Sequence, residues 1–421
     1  MNRADSGPRY RARMSTQESP SGACSDEPAP EPADAAAPAR VFLDAGGHAP
    51  ILAAARRAFD DAVDRGWADP RRLHTEGRTA RLLLEGARES FAASLGARTE
   101  EIDLLPSHTL ALHAAVRAVA RGRRRAGRDV VTSAVERAAI LAAADFAVTQ
   151  PWDGRTGSRV VIGVDRLGRV DGDAFAEAVR APGVALAALQ HANGEVGTRQ
   201  PVEAVHEAAA RAGVPLLVDV GASAGHAVLS DAWDLLAADA GDWGGMPGVA
   251  VLAIRARVRR SPDWPEDPER WSPGGVSVPA ALAAAVALEM ARSTRAADDA
   301  HRRALVDRIR SRVAAQVPDV EVVGDPADRL PHVVTFSCLY VDGEALVTEL
   351  DRLGFAVGSG SACTSSTLEP SHVLAAMGVL THGNVRLCLP PDVASDGIGR
   401  FLDVLPGAVR RVRDALGAGG L

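Results

Sequence analysis

Apolar residues in the first patterned stretch of the chain recur at helical spacing. Leu52, Ala55, Phe59 and Val63 fall on one face of a helix that Pro50 is expected to open. Leu84, Ala87, Phe91 and Leu95 repeat the spacing and predict a second helix. Beyond them the pattern changes. Short apolar runs at 130–132, 160–164, 184–189, 214–218 and 249–254 alternate with helical stretches. One of those stretches runs from about Pro201 to Ala212 and is stopped by Gly213. Continuously apolar strands between helices predict a mostly parallel α/β sheet covered on both faces. A long Ala-rich helix follows over about 278–316. The runs at 333–339 and 385–389 then read as strands of a smaller α+β part, closed by a helix over about 396–416. The pattern divides the chain into a large α/β domain, 41–265, and a linker helix with a small C-terminal domain, 266–421. No internal repeat is visible.

Residues 1–40 lack this patterning. Ser, Pro, Ala, Glu and Asp dominate, so little can be buried and a disordered tail is expected. Translation could begin at Met1 or at Met14. The tail carries no basic head followed by an apolar run, and no stretch of about 18 apolar residues occurs anywhere. Neither secretion nor a membrane span is expected, and the cytoplasm is the expected compartment. The net charge of −7 argues against nucleic acid as a main partner. The histidines and four cysteines show neither metal-ligand spacing nor a disulfide framework, so no metal site is expected. Cys338 and Cys388 lie in predicted strands and should be buried and inert. No phosphate-binding loop of the P-loop type is present.

Composition changes the picture at one point: the 421 residues include no lysine, and all 47 basic residues are arginine. Bias toward GC-rich codons accounts for this at the surface, where a solvated charge suffices. It does not account for a catalytic lysine, because a guanidinium stays protonated and cannot condense with an aldehyde.

The candidate chemistry lies at residues 358–365, Gly-Ser-Gly-Ser-Ala-Cys-Thr-Ser, with Cys363 in a Gly/Ser-rich exposed segment and a helix after Pro370. By itself this is either a turn with an incidental cysteine or a thiol carried on a loop. The stretch through Met377-Gly378 closely resembles the cysteine loop of group I cysteine desulfurases. Phe42–Pro50, Ala68-Asp-Pro, Leu73-His74, Glu76–Arg78 and Asn193–Thr198 are similar to other segments of that family, so the likeness runs from about 41 to 416.

The resemblance implies a fold-type I pyridoxal-phosphate transferase with a seven-stranded-type, mostly parallel sheet, normally a homodimer. It implies Cys363 as the catalytic cysteine, which takes sulfur from cofactor-bound L-cysteine and becomes a persulfide for a sulfur-acceptor protein. It assigns Thr109 to the cofactor phosphate and Asp219 to the pyridine nitrogen. An Asp at that place also serves as a plain loop cap. Arg386 matches the arginine that grips the substrate carboxylate, a role its guanidinium fork suits; a solvated arginine beside a strand is the other reading.

Other family positions have changed. Asp242 stands where the Schiff-base lysine belongs, and a carboxylate forms no imine. Asp239 and Gly241 replace a phosphate-binding serine and histidine, and Asp239 would repel phosphate. Arg137 replaces the histidine that stacks on the ring. Gly194 and Ala222 replace amides near its phenolic oxygen, Gly275 replaces a threonine that reaches the partner's phosphate, and Ser107 and His108 alter the phosphate loop. Three or four lost charge-assisted bonds, at roughly 1.5–3 kcal/mol each, would weaken cofactor binding by several orders of magnitude.

The leading expectation is a desulfurase-family sulfur-transfer protein with Cys363 as persulfide carrier and ordinary pyridoxal-phosphate catalysis lost. The alternatives are an active desulfurase holding its cofactor without an imine, and a non-catalytic partner that forms a heterodimer with an active relative. An aminotransferase or lyase of the same class ranks last, because it needs the lysine and leaves the cysteine loop unexplained.

Overall fold

Seven strands form the central sheet in the order β2-β8-β7-β6-β5-β3-β4. They are β2 (Ile102–Leu105), β3 (Asp129–Ser133), β4 (Arg159–Ile162), β5 (Val184–Gln190), β6 (Leu216–Asp219), β7 (Leu235–Asp239) and β8 (Ala250–Ile254). All neighbours are parallel except at β8, which runs antiparallel to both β7 and β2. The expected α/β class is therefore the observed one. All seven residues of β5 are buried, as a central parallel strand covered on both faces requires. The computed structural model describes residues 39–151, 154–261, 275–359 and 370–417. The expected tail, Cys24, Cys363 and the expected boundary at 265 lie outside the described residues, apart from positions 39 and 40 of that tail.

Arg40–Leu421 cluster as one compact unit. Two large apolar cores cover the central sheet and are built largely from Ala, Val and Leu. A third core joins a sheet ordered β12-β10-β9 to α8 (Gly343–Arg352) and α10 (Ser395–Ala415). Its strands are β9 (Val320–Val323), β10 (Val333–Cys338) and β12 (Asn384–Cys388), all antiparallel. Residues 41–43 join this third core. In it β1 (Val41–Phe42) pairs in parallel with β11 (Phe355–Ala356), and Leu43 is fully buried. The helix α7 (Val278–Gln316) matches its expected bounds and contributes to both halves. Ser277 caps it by accepting from Ala280 N, and Pro279 sits in its first turn, where no intrahelical donor is lost. Cys338 and Cys388 are buried in strands as expected, and burial pushes their thiols up to about 12 and about 11.

Two local expectations need correction. Pro50 does not open a helix: α1 (Ala53–Gly66) begins three residues later. Residues 49–52 are held by Ala49 N–H donating to Gly241 O at 2.7 Å and Leu52 N–H to Gly244 O at 2.9 Å, with Leu52 extended. These bonds draw the segment onto the 239–244 turn, beneath the site. Val63, placed on the buried face by the spacing, is exposed. The strand β7 was not among the apolar runs; its five residues end in Asp239, and Asp231 and Asp234 flank its start.

Candidate functional site

Open α/β sheets bind ligands at the carboxyl ends of their strands. Here those ends bring Ser133, Gln190, Asp219 and Asp239 to one edge, with Gln190 in register with Asp219. Asp219 is 3% exposed. Its Oδ1 accepts from Gly221 N–H at 2.8 Å and lies 3.1 Å from His108 Nε2; its Oδ2 accepts from Arg137 Nε at 3.1 Å. Burial alone would raise this carboxyl. The charges of His108 and Arg137, with the contacts from His108 and Gly221, outweigh burial and hold it well below the ordinary range.

Local structure explains how these side chains arrive. The helix α3 (His108–Arg123) is started by Ser107, whose Oγ accepts from Leu110 N–H at 3.2 Å. That cap puts His108 at the first helical position, buried and directed at β6, and leaves Thr109 exposed in the same turn. Arg137 stands at the N-cap position of α4 (Ala138–Thr149) without a capping side-chain bond, at the end of a turn that follows β3. Buried polar groups hold that turn: Val135 O accepts from Gln190 Nε2 at 2.7 Å and from Asn193 Nδ2 at 3.2 Å. Glu136 Oε1 accepts from Ser133 Oγ at 2.6 Å and Gln190 N–H at 3.1 Å. Glu136 Oε2 is buried with no hydrogen-bond partner among the described residues.

Burial pushes Glu136 up to about 8, against the Ser133 and Gln190 bonds that favour its charge. Burial likewise pushes Glu195 up to about 7, although it accepts from Ser371 Oγ at 2.8 Å and senses the charge of Arg386. Both folded values lie above the ordinary glutamate value of 4.5. Their contribution to stability is complete below that value and is lost as pH rises from it through 7 to 8. Urea unfolding should therefore show stability falling between about pH 4.5 and 8 and levelling off above, by up to about 1.4 kcal/mol per pH unit per group. Glu136→Gln should remove part of that slope; an unchanged slope would contradict the assignment.

Arg386, in β12, donates from Nη2 to Asp44 Oδ1 at 3.1 Å. Three residues on, Gly47 N–H donates to Asp242 Oδ1 at 3.0 Å, so one loop ties the expected substrate arginine to the residue at the Schiff-base position. Asp242 is buried, its Oδ2 3.4 Å from His226 Nε2. His226 Nδ1 lies 3.3 Å from Arg302 Nη1, and Arg302 donates to Asp299 Oδ1 at 2.9 Å. The sequence pattern gave no sign of this network, which joins α7 to the turn after β7. Asp239 accepts from Gly241 N–H at 3.1 Å; burial raises its carboxyl, and the charge of His108 and the Gly241 bond partly offset that.

Of the residues singled out in the sequence, the structure places Thr109 beside His108, and His108 against Asp219. It ties Arg386 to Asp44, and Cys363 is not among the described residues. The change at Arg137 was legible in the sequence, but its partner was not. The role of His108 was missed: 111 residues separate it from Asp219, and spacing carries no signal over that range.

The side chains do not fit pyridoxal phosphate. Both Asp219 oxygens are already taken by protein groups. A Cβ at Gly221 would lie 2.3 Å from His108 Cε1 and 3.0 Å from Arg137 Nη2, so these two side chains pack on the backbone beside the carboxylate. Where the family resemblance implies amides, Gly194 and Ala222 supply none, and a Cβ at 194 would meet the Ala222 methyl at 3.2 Å. No lysine exists to form an imine. Among the described residues, no group of three or more His, Cys, Asp or Glu is arranged to hold a metal ion, and no helix is long and apolar enough to cross a membrane.

Comparisons with known proteins agree with the fold and the motifs. Residues 41–401 match the aminotransferase class-V family model. A cysteine desulfurase of Cereibacter sphaeroides is 34% identical over 384 residues, covering 89% of this chain and 97% of the relative. An IscS-like cysteine desulfurase of Mycobacterium tuberculosis is 33% identical, covering 89% and 98%. The solved apo structure of a cysteine desulfurase from Thermococcus onnurineus superposes with a TM-score of 0.78 at 21% identity, over 88% of this chain and 95% of that one. The chain belongs to the class-V aminotransferase family, among its cysteine desulfurase members.

Proposed function

We propose that this chain is a sulfur-transfer protein that accepts sulfur on Cys363 from another protein rather than extracting it from free cysteine. The observation that carries this reading is the engagement of both Asp219 oxygens by the chain's own His108 and Arg137. It sits in a chain that retains the family's cysteine segment at 358–365 and the arginine at 386. The relatives named cysteine desulfurase support sulfur as the cargo.

The transfer needs no cofactor and no external oxidant. The Cys363 thiolate attacks the outer sulfur of a donor persulfide, and the donor's sulfur–sulfur bond breaks. The donor leaves as a thiolate, and the new persulfide resides on Cys363. An acceptor thiolate then repeats the exchange. A persulfide-bearing desulfurase serves as donor, and a sulfur-acceptor protein as the next station. Trp67, Leu73 and Leu82 are 70%, 80% and 74% exposed, which supports a second subunit, of this chain or of a relative, on this stretch.

The test is to incubate the protein with an active cysteine desulfurase and cysteine, and to map adducts by mass spectrometry. A one-sulfur mass increase on Cys363, absent without donor and absent in Cys363→Ser, is the expected result. Full donor turnover with no adduct at Cys363 would overturn the reading.

The retained Thr109, Asp219 and Arg386 favour a second reading, an active desulfurase holding its cofactor without an imine. That reading requires release of alanine from cysteine by the purified chain with added pyridoxal phosphate.

A further inference from the structure

Asp219 is a buried carboxylate whose neighbours are matched to it. A buried charge is tolerated when it is paired and hydrogen-bonded, and costs heavily when it is not. Asp219 has an imidazole 3.1 Å from Oδ1, a guanidinium 3.1 Å from Oδ2 and one backbone N–H at 2.8 Å from Oδ1. The aromatic partner is 5% exposed, so it belongs to the interior and does not hang over an open cleft.

The surroundings are adjusted to the same arrangement. Any side chain at 221 would overlap the imidazole, and glycine stands there. A Cβ added at Gly194 would come within 3.2 Å of the Ala222 methyl, so glycine suits the position beside that alanine. Random decay of a cofactor pocket would leave unpaired buried charge and a void. Asp219 itself is not left unpaired: Arg137 donates to Oδ2, Gly221 N–H donates to Oδ1, and His108 Nε2 lies 3.1 Å from Oδ1 with no other hydrogen-bond partner among the described residues.

We infer that His108 is a built-in substitute for the cofactor's pyridine ring: its imidazole sets a ring nitrogen against Asp219, Arg137 closes the second oxygen, and the fold is complete with no cofactor bound. The inference deepens the reading of the chain as one without pyridoxal catalysis. It stands or falls apart from the sulfur-carrier reading, because Cys363 plays no part in it. His108 is a positioning residue for Asp219, not a catalytic one.

The experiment uses the full chain. Pyridoxal phosphate is titrated into wild type and His108→Ala and followed by equilibrium dialysis. Thermal unfolding is recorded with and without added imidazole, with an equal concentration of sodium chloride as the control. Wild type should show no saturable binding and no shift of Tm with either small molecule. His108→Ala should lower Tm by roughly a few degrees, as loss of one buried partner implies. Imidazole, but not salt, should restore part of that loss, because it re-enters beside Asp219.

Saturable binding of pyridoxal phosphate to wild type, abolished by Asp219→Asn, would overturn the inference. So would a His108→Ala protein with wild-type Tm. If the alanine variant does not fold, His108→Gln takes its place. It keeps a hydrogen-bond donor but no aromatic ring: a Tm below wild type supports the substitution, and a Tm equal to or above it contradicts it.

Discussion

Asp219→Ala is expected to lower the free energy of unfolding by about 3–5 kcal/mol, the range for removing one member of a buried charged set. The two groups it leaves differ in what they can do. Arg137 has a side chain 40% exposed and can turn toward water. His108 is nearly fully buried and cannot, so its ring nitrogen is left facing no carboxylate. Gly221 N–H also loses its acceptor. Most of the loss therefore belongs to His108, and His108→Ala in the Asp219→Ala background should cost little more. Urea unfolding of the two single variants and the double variant measures this coupling. Additive losses would show that the pair is not a unit.

The pH dependence has a definite sign. The Asp219 carboxyl is depressed below the ordinary aspartate value of 3.8, so the stabilisation is present above about pH 4 and lost as pH falls below it. This is the opposite direction from Glu136 and Glu195, which cost stability as pH rises through 7 to 8. Wild type should be most stable in mildly acidic solution. Asp219→Ala should lose the acid limb of that profile and keep the alkaline one.

Asp242→Lys is expected to give no alanine from cysteine, even with added pyridoxal phosphate. The substitution restores an amine at the Schiff-base position and nothing else. Asp219 is still faced by His108 and Arg137, and Gly194 and Ala222 still offer no amide. The new ammonium would also be badly placed. Asp242 is 3% exposed, accepts from Gly47 N–H, and faces His226 with Arg302 beyond it. A lysine there sets one more cation against that histidine and arginine, and frees the Gly47 donor. Destabilisation by several kcal/mol should accompany the missing activity. Sustained alanine release, at a rate above that of the wild-type chain, would show that the surrounding changes do not matter.

Some of this was legible along the chain. The alternation of apolar runs and helical stretches located β3, β5, β6, β8 and α7, because a strand buried on both faces and a 39-residue helix impose strong local periodicity. The missing lysine, Asp242, Arg137, Gly194 and Ala222 were legible as departures from a family pattern. Short strands bounded by charge, such as β7, left too little apolar signal. The late start of α1 is set by hydrogen bonds to residues 241 and 244, almost two hundred positions away, which no local window includes.

The sequence by itself determined the sheet-forming pattern, the family, the cysteine at 363 and the impossibility of an imine. Each follows from local periodicity, from a motif or from the absence of a residue type. Only the tertiary structure decided what became of the altered site. A loop turn, a helix cap and a strand end come from three separate parts of the chain, and only folding sets His108 and Arg137 against Asp219 at 3.1 Å. Ion pairing and burial depend on distance in space, and that distance is fixed by how the helix α3 and the turn before α4 pack over the ends of β5 and β6.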